Sequence, residues 1–187
     1  MKETEWDNTD TQMTAPFVME NLEILKQYYE EMELESEIIP AMKELPLPAL
    51  VTALGEDEKD RPRILTNSFL PFDRENAEFT KYLQFYLELT NPLEKIDSAE
   101  LLNTMLWVNG QLPIGCCMIR EAEGERPSRV VVRSNQGFPL TKPIDQGVFT
   151  EDVFLFDTSC DIVSNILDLM AEGKSFAEIR ALLERES

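Results

Sequence analysis

The stretch from Lys81 to Thr90 constrains the fold more than any other part of this chain. Leu83, Phe85, Leu87 and Leu89 alternate there with Tyr82, Gln84, Tyr86 and Glu88. Side chains that change face at every second residue mark an extended strand, here with one apolar face. The other face is polar and aromatic, which suits an antiparallel sheet with one solvated side. Tyr82 and Tyr86 lie on that side and are the candidate partner-binding residues; the alternative is a helix laid over them.

The segments around this strand can be read in the same way. Residues 1–15 are polar and acidic, with Trp6 and Met13 as the apolar exceptions, and read as a mobile tail. Residues 16–187 are expected to form a single domain. From Pro16, Val18, Leu22, Leu25, Tyr29 and Met32 recur at steps of four and three, the stripe of an amphipathic helix. Glu30, Glu31, Glu33, Glu35 and Glu37 are expected on its opposite side and C-terminal end, where acids oppose the helix dipole. Water solvates them there, or a basic partner neutralises them.

Pro40, Pro46 and Pro48 end that helix, and Ala49–Leu54 reads as extended. Gly55 to Pro62 is a charged turn, Arg63–Leu70 a second strand, and Asp73–Ala77 a short polar loop before the alternating strand. Asp97 or Ser98 can cap a second helix carrying Leu101, Leu102, Met105, Leu106 and Val108. Ile114–Arg120 and Arg129–Arg133 read as a hairpin, closed by Gln136-Gly137-Phe138-Pro139. A long apolar helical pattern runs from about Glu151 to Gly173, and Ser175 with Glu178 forms a capping box for a short final helix. The order α-β-β-β-α-β-β-α predicts an α+β fold, a five-stranded, mainly antiparallel sheet with helices packed on one face.

Charge narrows the functions open to such a fold. Acids number 36 against 17 Lys and Arg, a net charge of −19. That field repels phosphate backbones and anionic lipid, so neither nucleic acid nor a membrane surface is the expected partner. It attracts basic protein segments, or it serves solubility alone. A hydrophobic content of 43% is that of a globular chain. Cys116, Cys117 and Cys160 form neither an even set nor a C-x-x-C pair, and the first residues lack the pattern of a signal peptide. No apolar run is long enough to span a bilayer, and a cytoplasmic location is the expectation.

Catalytic chemistry is sparse. The chain has no histidine, which removes Ser-His and Cys-His nucleophile systems and most metal-site designs. It has no Gly-rich phosphate loop, and no cofactor is expected. Cys116 and Cys117 point to opposite faces in a strand, one into the core and one outward, with no basic activator evident beside either. Glu56, Asp57, Glu58 and Asp60 are candidate calcium ligands by type, but they lack the spacing of an EF-hand loop and read as a turn.

The run Leu101-Leu102-Asn103-Thr104-Met105-Leu106-Trp107-Val108-Asn109 leads into Ile114-Gly115. With the last helix, Asp161, Ile166-Leu167 and Gly173-Lys174-Ser175, it resembles the YbjN-like family over residues 17 to 180. Proteins of that family look like type III secretion chaperones in fold. The resemblance implies a small, acidic, often dimeric α+β protein that binds stretches of a partner, or one tied to stress and regulation. The acidic tail and the segment Pro40–Pro48 depart from the pattern.

The expected function is therefore a non-catalytic, chaperone-like or adaptor domain, a homodimer that binds another protein carrying a basic segment. A regulatory or sensor domain with a small ligand between sheet and helix is the alternative. An enzyme working through carboxylates alone, and an acidic mimic of nucleic acid, rank below these.

Overall fold

The structure, a computed structural model, describes residues 15–42, 45–71, 78–122, 124 and 127–186. The elements run α1 (Ala15–Glu31), β1 (Ser36–Ile39), β2 (Ala49–Glu56), β3 (Pro62–Phe69), β4 (Thr80–Leu89) and α2 (Ser98–Val108). They continue as β5 (Cys116–Arg120), β6 (Arg129–Pro139), α3 (Gln146–Ala171) and α4 (Phe176–Glu186). The expected tail lies outside the described residues apart from Ala15, which opens α1, and so does the expected loop Asp73–Ala77.

The class is α+β, but the sheet has six strands in the order β1-β2-β3-β4-β6-β5, not five. The missing strand is β1, hidden in what reads as an acidic helix end. α1 stops at Glu31 because Glu33 turns into the left-handed region at φ 59°. Leu34 N–H then donates to Tyr29 O at 2.9 Å and Glu33 N–H to Glu30 O at 3.1 Å. These two bonds make the Schellman closure of a helix, made here without the usual glycine. The freed chain pairs antiparallel with β2, from Ser36 opposite Thr52 to Ile39 opposite Ala49. Glu35 and Glu37 therefore belong to the edge strand region rather than to a helix, and exposed Glu37 guards that edge against another strand.

Two further boundaries differ. The hairpin strand β6 runs through Gln136-Gly137-Phe138-Pro139 instead of closing before them. α3 starts at Gln146, where Val148 N–H donates to Asp145 Oδ1 at 3.1 Å.

Chain contacts fall into two compact units. The first holds the described residues of 1–52, 66–85 and 135–149. Its core is the α1 stripe Val18, Leu22, Leu25 and Tyr29, fully buried with Leu50, Leu83, Phe85 and Phe149. Phe149 gathers the rings of Tyr29 at 5.2 Å and of Tyr28 and Phe85 at 6.0 Å. Such a ring cluster adds edge-to-face attraction to area burial. Tyr29 carries its hydroxyl into this core and donates to Asn67 Oδ1 at 2.6 Å; burial drives its pKa far up, so it stays a neutral donor. Lys81 extends the buried register of β4. Its ammonium donates to Asn21 Oδ1 at 2.6 Å and Lys142 O at 2.8 Å, beside the Phe17 ring. Burial lowers its pKa against a partial opposing pull from Glu20.

The second unit holds the described residues of 53–65, 86–134 and 150–187. Its core joins Leu87 and Leu89 of β4, Leu101 and Met105 of α2, Val130 and Val132 of β6, and Phe156, Val163 and Leu167 of α3. The charged turn between β2 and β3 is a clamp on α3. Asp57 folds the turn by accepting from Lys59 N–H at 2.9 Å and Arg61 N–H at 3.1 Å, and Asp60 takes φ 57°. Arg61 then forks onto Asp168 with two bonds of 2.8 Å and holds Asp57 through Nε at 2.7 Å. Asn91 donates to Asp168 Oδ1 at 2.9 Å, and Lys59 lies 3.1 Å from Oδ2. Arg63 takes Asp157 and Asp161 at 2.6 and 2.7 Å.

Burial pushes the Asp168 carboxyl up, but the bonds from Arg61, Lys59 and Asn91 outweigh it and hold it below the ordinary value of 3.8. A depressed carboxyl stabilises the fold above its unfolded pKa and loses that contribution as pH falls through the folded one. Asp168→Asn, which leaves Arg61 without its forked partner, is expected to cost about 2–4 kcal/mol at neutral pH. In urea titrations the gap to the parent chain should narrow as pH drops below 3.8. A gap that stays constant down the acid range would refute the assignment.

Candidate functional site

Three places bring polar and apolar chemistry together at the surface. The charged turn is the first, and its Asp57 is engaged, serving Arg61 and the turn backbone. Among the described residues no group of His, Cys, Asp or Glu is arranged to hold a metal. The thiols are the next chemistry to place. Cys117 and Cys160 are buried, and burial pushes Cys117 up to about 12 and Cys160 higher still; Cys116 is half-exposed. The expectation that neighbouring Cys116 and Cys117 face opposite ways is met by their positions in β5.

The second place is the edge of the sheet at β5. Gly115, at φ 78°, lets the chain enter this strand: a Cβ there would stand 2.7 Å from Arg133 O. β5 pairs antiparallel with β6, Cys116 opposite Arg133 through to Arg120 opposite Arg129. Its other side would be a bare edge, but α2 ends on Asn109, and that side chain closes part of it. Asn109 Oδ1 accepts from Cys117 N–H at 2.6 Å and its Nδ2 donates to Cys117 O at 3.1 Å. One amide thus takes the place of a neighbouring strand for a single residue. Period-two geometry turns the N–H and C=O of Ile119 the same way. None of the described residues bonds to them.

Ile119 instead lines a groove of about 760 Å³. Leu93, Ile96, Leu101, Leu102 and Pro127 give it an apolar floor, and Glu94 and Glu121 give it acidic margins. α2 shapes it. Asp97 caps the helix by accepting from Ala99 and Glu100 N–H, both at 3.0 Å, so Leu101, Met105 and Val108 turn inward. Leu102 and Leu106, one turn apart, stay 53% and 65% exposed. Leu102 belongs to the groove, and Leu106 carries the apolar surface one turn further along α2.

The third place is the half-exposed face of β4, where the sequence places Tyr82 and Tyr86. Tyr86 donates to Glu88 Oε1 at 2.5 Å, and the Arg120 guanidinium lies 5.6 Å from its ring centre. Burial and the bond to Glu88 raise its pKa. Tyr82 belongs to the first unit, where its ring stands over Gly137: a Cβ on that glycine would reach 3.3 Å from Tyr82 Cε1. Sequence reasoning pointed to this face and missed the groove. The signal was there in the doublets Leu101-Leu102 and Met105-Leu106, because four apolar positions so placed exceed one buried stripe.

Amide exchange tests the edge. Cys117 N–H should exchange slowly and Ile119 N–H fast in the free chain, and Asn109→Ala should release Cys117 alone. Slow exchange at Ile119 in the free chain would mean that its edge is already paired.

No family model matches this chain, and no curated protein does. Among solved structures the chain is similar to the crystal structure of YbjN from E. coli, described there as a candidate transcription regulator. The TM-score is 0.45 and the identity 11%, over 82% of this chain and 94% of that one. The likeness is one of fold alone. The secretion-chaperone side of the resemblance gains no support from it.

Proposed function

We propose that this chain is a non-catalytic protein-binding domain, an adaptor or chaperone-like module that takes an extended segment of a partner at the β5 edge. The observation that carries this reading is the Ile119 backbone, to which none of the described residues bonds, at a residue that lines the apolar groove. An added strand gains main-chain hydrogen bonds from such an edge, and pockets for alternate side chains give it specificity. Asn109 occupies the edge at Cys117, so pairing begins at Ile119. Apolar residues of the segment enter between Leu93, Ile96, Leu101 and Leu102, and the acids Glu94 and Glu121 favour a basic residue at the margin. The acids with the most engaged carboxylates, Asp57 and Asp168, are committed to Arg61, which speaks against an enzyme of paired carboxylates. Three free thiols suit a reducing, cytoplasmic setting.

Ile119→Pro removes the outward N–H without touching the ladder to β6, and Leu102→Asp spoils the groove. Both variants should keep the circular dichroism of the parent and lose the partner that the immobilised chain retains from native lysate. Undiminished capture by both would sink the reading, as would the absence of any partner at low and at high salt. A small ligand is the second reading, because the groove falls within the range of about 300–1,000 Å³ common for such sites. A thermal-shift screen separates the two, since a bound molecule raises the melting temperature by mass action.

A homodimer is part of the proposal. α2 carries a single charge, Glu100, in a chain of net charge −19, so its Leu106 face is where two copies meet with least repulsion. In sedimentation the parent should run as a dimer and Leu106→Asp as a monomer; a monomeric parent ends that part of the proposal.

A further inference from the structure

The β5–β6 pair of the second unit concentrates positive charge against the composition of the chain. The register sets Arg120 opposite Arg129 and Cys116 opposite Arg133. Alternation then puts all three arginines on one face, around Met118 and the fully buried Val131. The Arg120 contact to the Tyr86 ring identifies this as the face that Tyr86 shares. Arg120 is exposed, and Arg133 and Tyr86 are half-exposed.

At the β2–β3 turn of this unit the basic residues are spent on acids of α3: Lys59 and Arg61 on Asp168, and Arg63 on Asp157 and Asp161. Here, among the described residues, Glu88 is the acid in contact, and its Oε2 lies 2.8 Å from Arg129 Nε while its Oε1 accepts from Tyr86. Among those same residues Arg120 meets the ring of Tyr86 rather than a carboxylate. Like charges placed directly opposite on paired strands are unfavourable. Solubility alone does not call for that arrangement in a chain of 36 acids.

We infer that this face is a second docking surface, and that its occupant is a short acidic peptide segment of a partner protein. Guanidinium groups take carboxylates in forked pairs, which gives geometric choice as well as attraction. Arg129 and Arg133 stand four residues apart on one strand, about 13 Å at the usual rise. An extended segment with two acids four residues apart spans the same length, so one acid meets Arg133 and the other the Arg120–Arg129 pair. A nucleic acid fits less well. Its continuous phosphate charge would have to approach a body of net charge −19, whereas two carboxylates bring little charge beyond the patch itself. The surface is independent of the groove, and its failure would leave the groove reading untouched.

The probe is a labelled, end-capped Glu-Ser-Ser-Ser-Glu peptide, followed by fluorescence anisotropy beside its Gln-Ser-Ser-Ser-Gln counterpart. The acidic peptide should bind the full chain and weaken with added salt, and the glutamine peptide should not bind. Arg120→Ser with Arg133→Ser should weaken binding by about tenfold or more. Arg120→Lys with Arg133→Lys, which keeps charge and loses the fork, should fall between the two. Lys95→Ser, which removes a positive charge elsewhere in the unit, should change little. Equal behaviour of the two peptides, no binding of either, or indifference to the arginine substitutions overturns the inference. So does tighter binding of a short oligothymidylate lost with the same arginines, which would make the face a phosphate surface instead.

Discussion

The fork of Arg61 onto Asp168 is the contact on which the second unit depends. In a chain with twice as many acids as bases, a long helix carrying Asp157, Asp161 and Asp168 along one side has no reason to pack by charge. The β2–β3 turn supplies that reason. Lys59 and Arg61 lie in the turn and Arg63 near the start of β3, and the α3 acids come at helical spacing, so the two sets meet. The pairing is largely withdrawn from water: Asp168 and Arg61 side chains keep 10% and 18% of their surface. Ion pairs so placed are weak contributors when whole and costly when broken. They act as a register pin for the helix more than as a source of net stability.

With the helix pinned, the remaining surface divides by sign. Basic side chains that face α3 are used up, and three arginines remain together on the β5–β6 face. Acids border the groove on the other side of β5, where Ile119 lies. One short strand therefore separates an apolar, acid-rimmed groove from a basic, aromatic face. A domain built this way is suited to hold two different stretches of protein, and the proposed adaptor role draws on that pairing of unlike surfaces.

The α2 helix shows how a structural device and a proposed binding feature can share residues. Asp97 sets where it starts, Met105 and Val108 seat it, and Asn109 closes it against Cys117. The Asn109 bonds satisfy one residue of the edge, and at the next outward position, Ile119, none of the described residues bonds to the backbone. A shorter α2 would leave both positions bare, an exposure that natural sheets avoid at their edges.

Local pattern alone was enough for β4, for the α1 stripe, for a cap of α2 at Asp97 or Ser98, which the structure gives to Asp97, and for the Ser175–Glu178 capping box, whose bonds the structure contains. Each depends on residues within one or two turns, and short-range sterics and hydrogen bonding decide them. The end of α1 did not read that way. A glutamate at the left-handed closing position carries no signature, and Ser36–Ile39 is a strand only because β2 is there to pair with it. The alternating strand at Lys81–Thr90 likewise announced two faces, but not what each would meet. That Tyr86 lies beneath Arg120 and beside Glu88, and that Leu102 borders a groove open to Ile119, depends on strands and helices far apart in sequence. Periodicity sets which way a side chain points; only tertiary pairing sets what it points at.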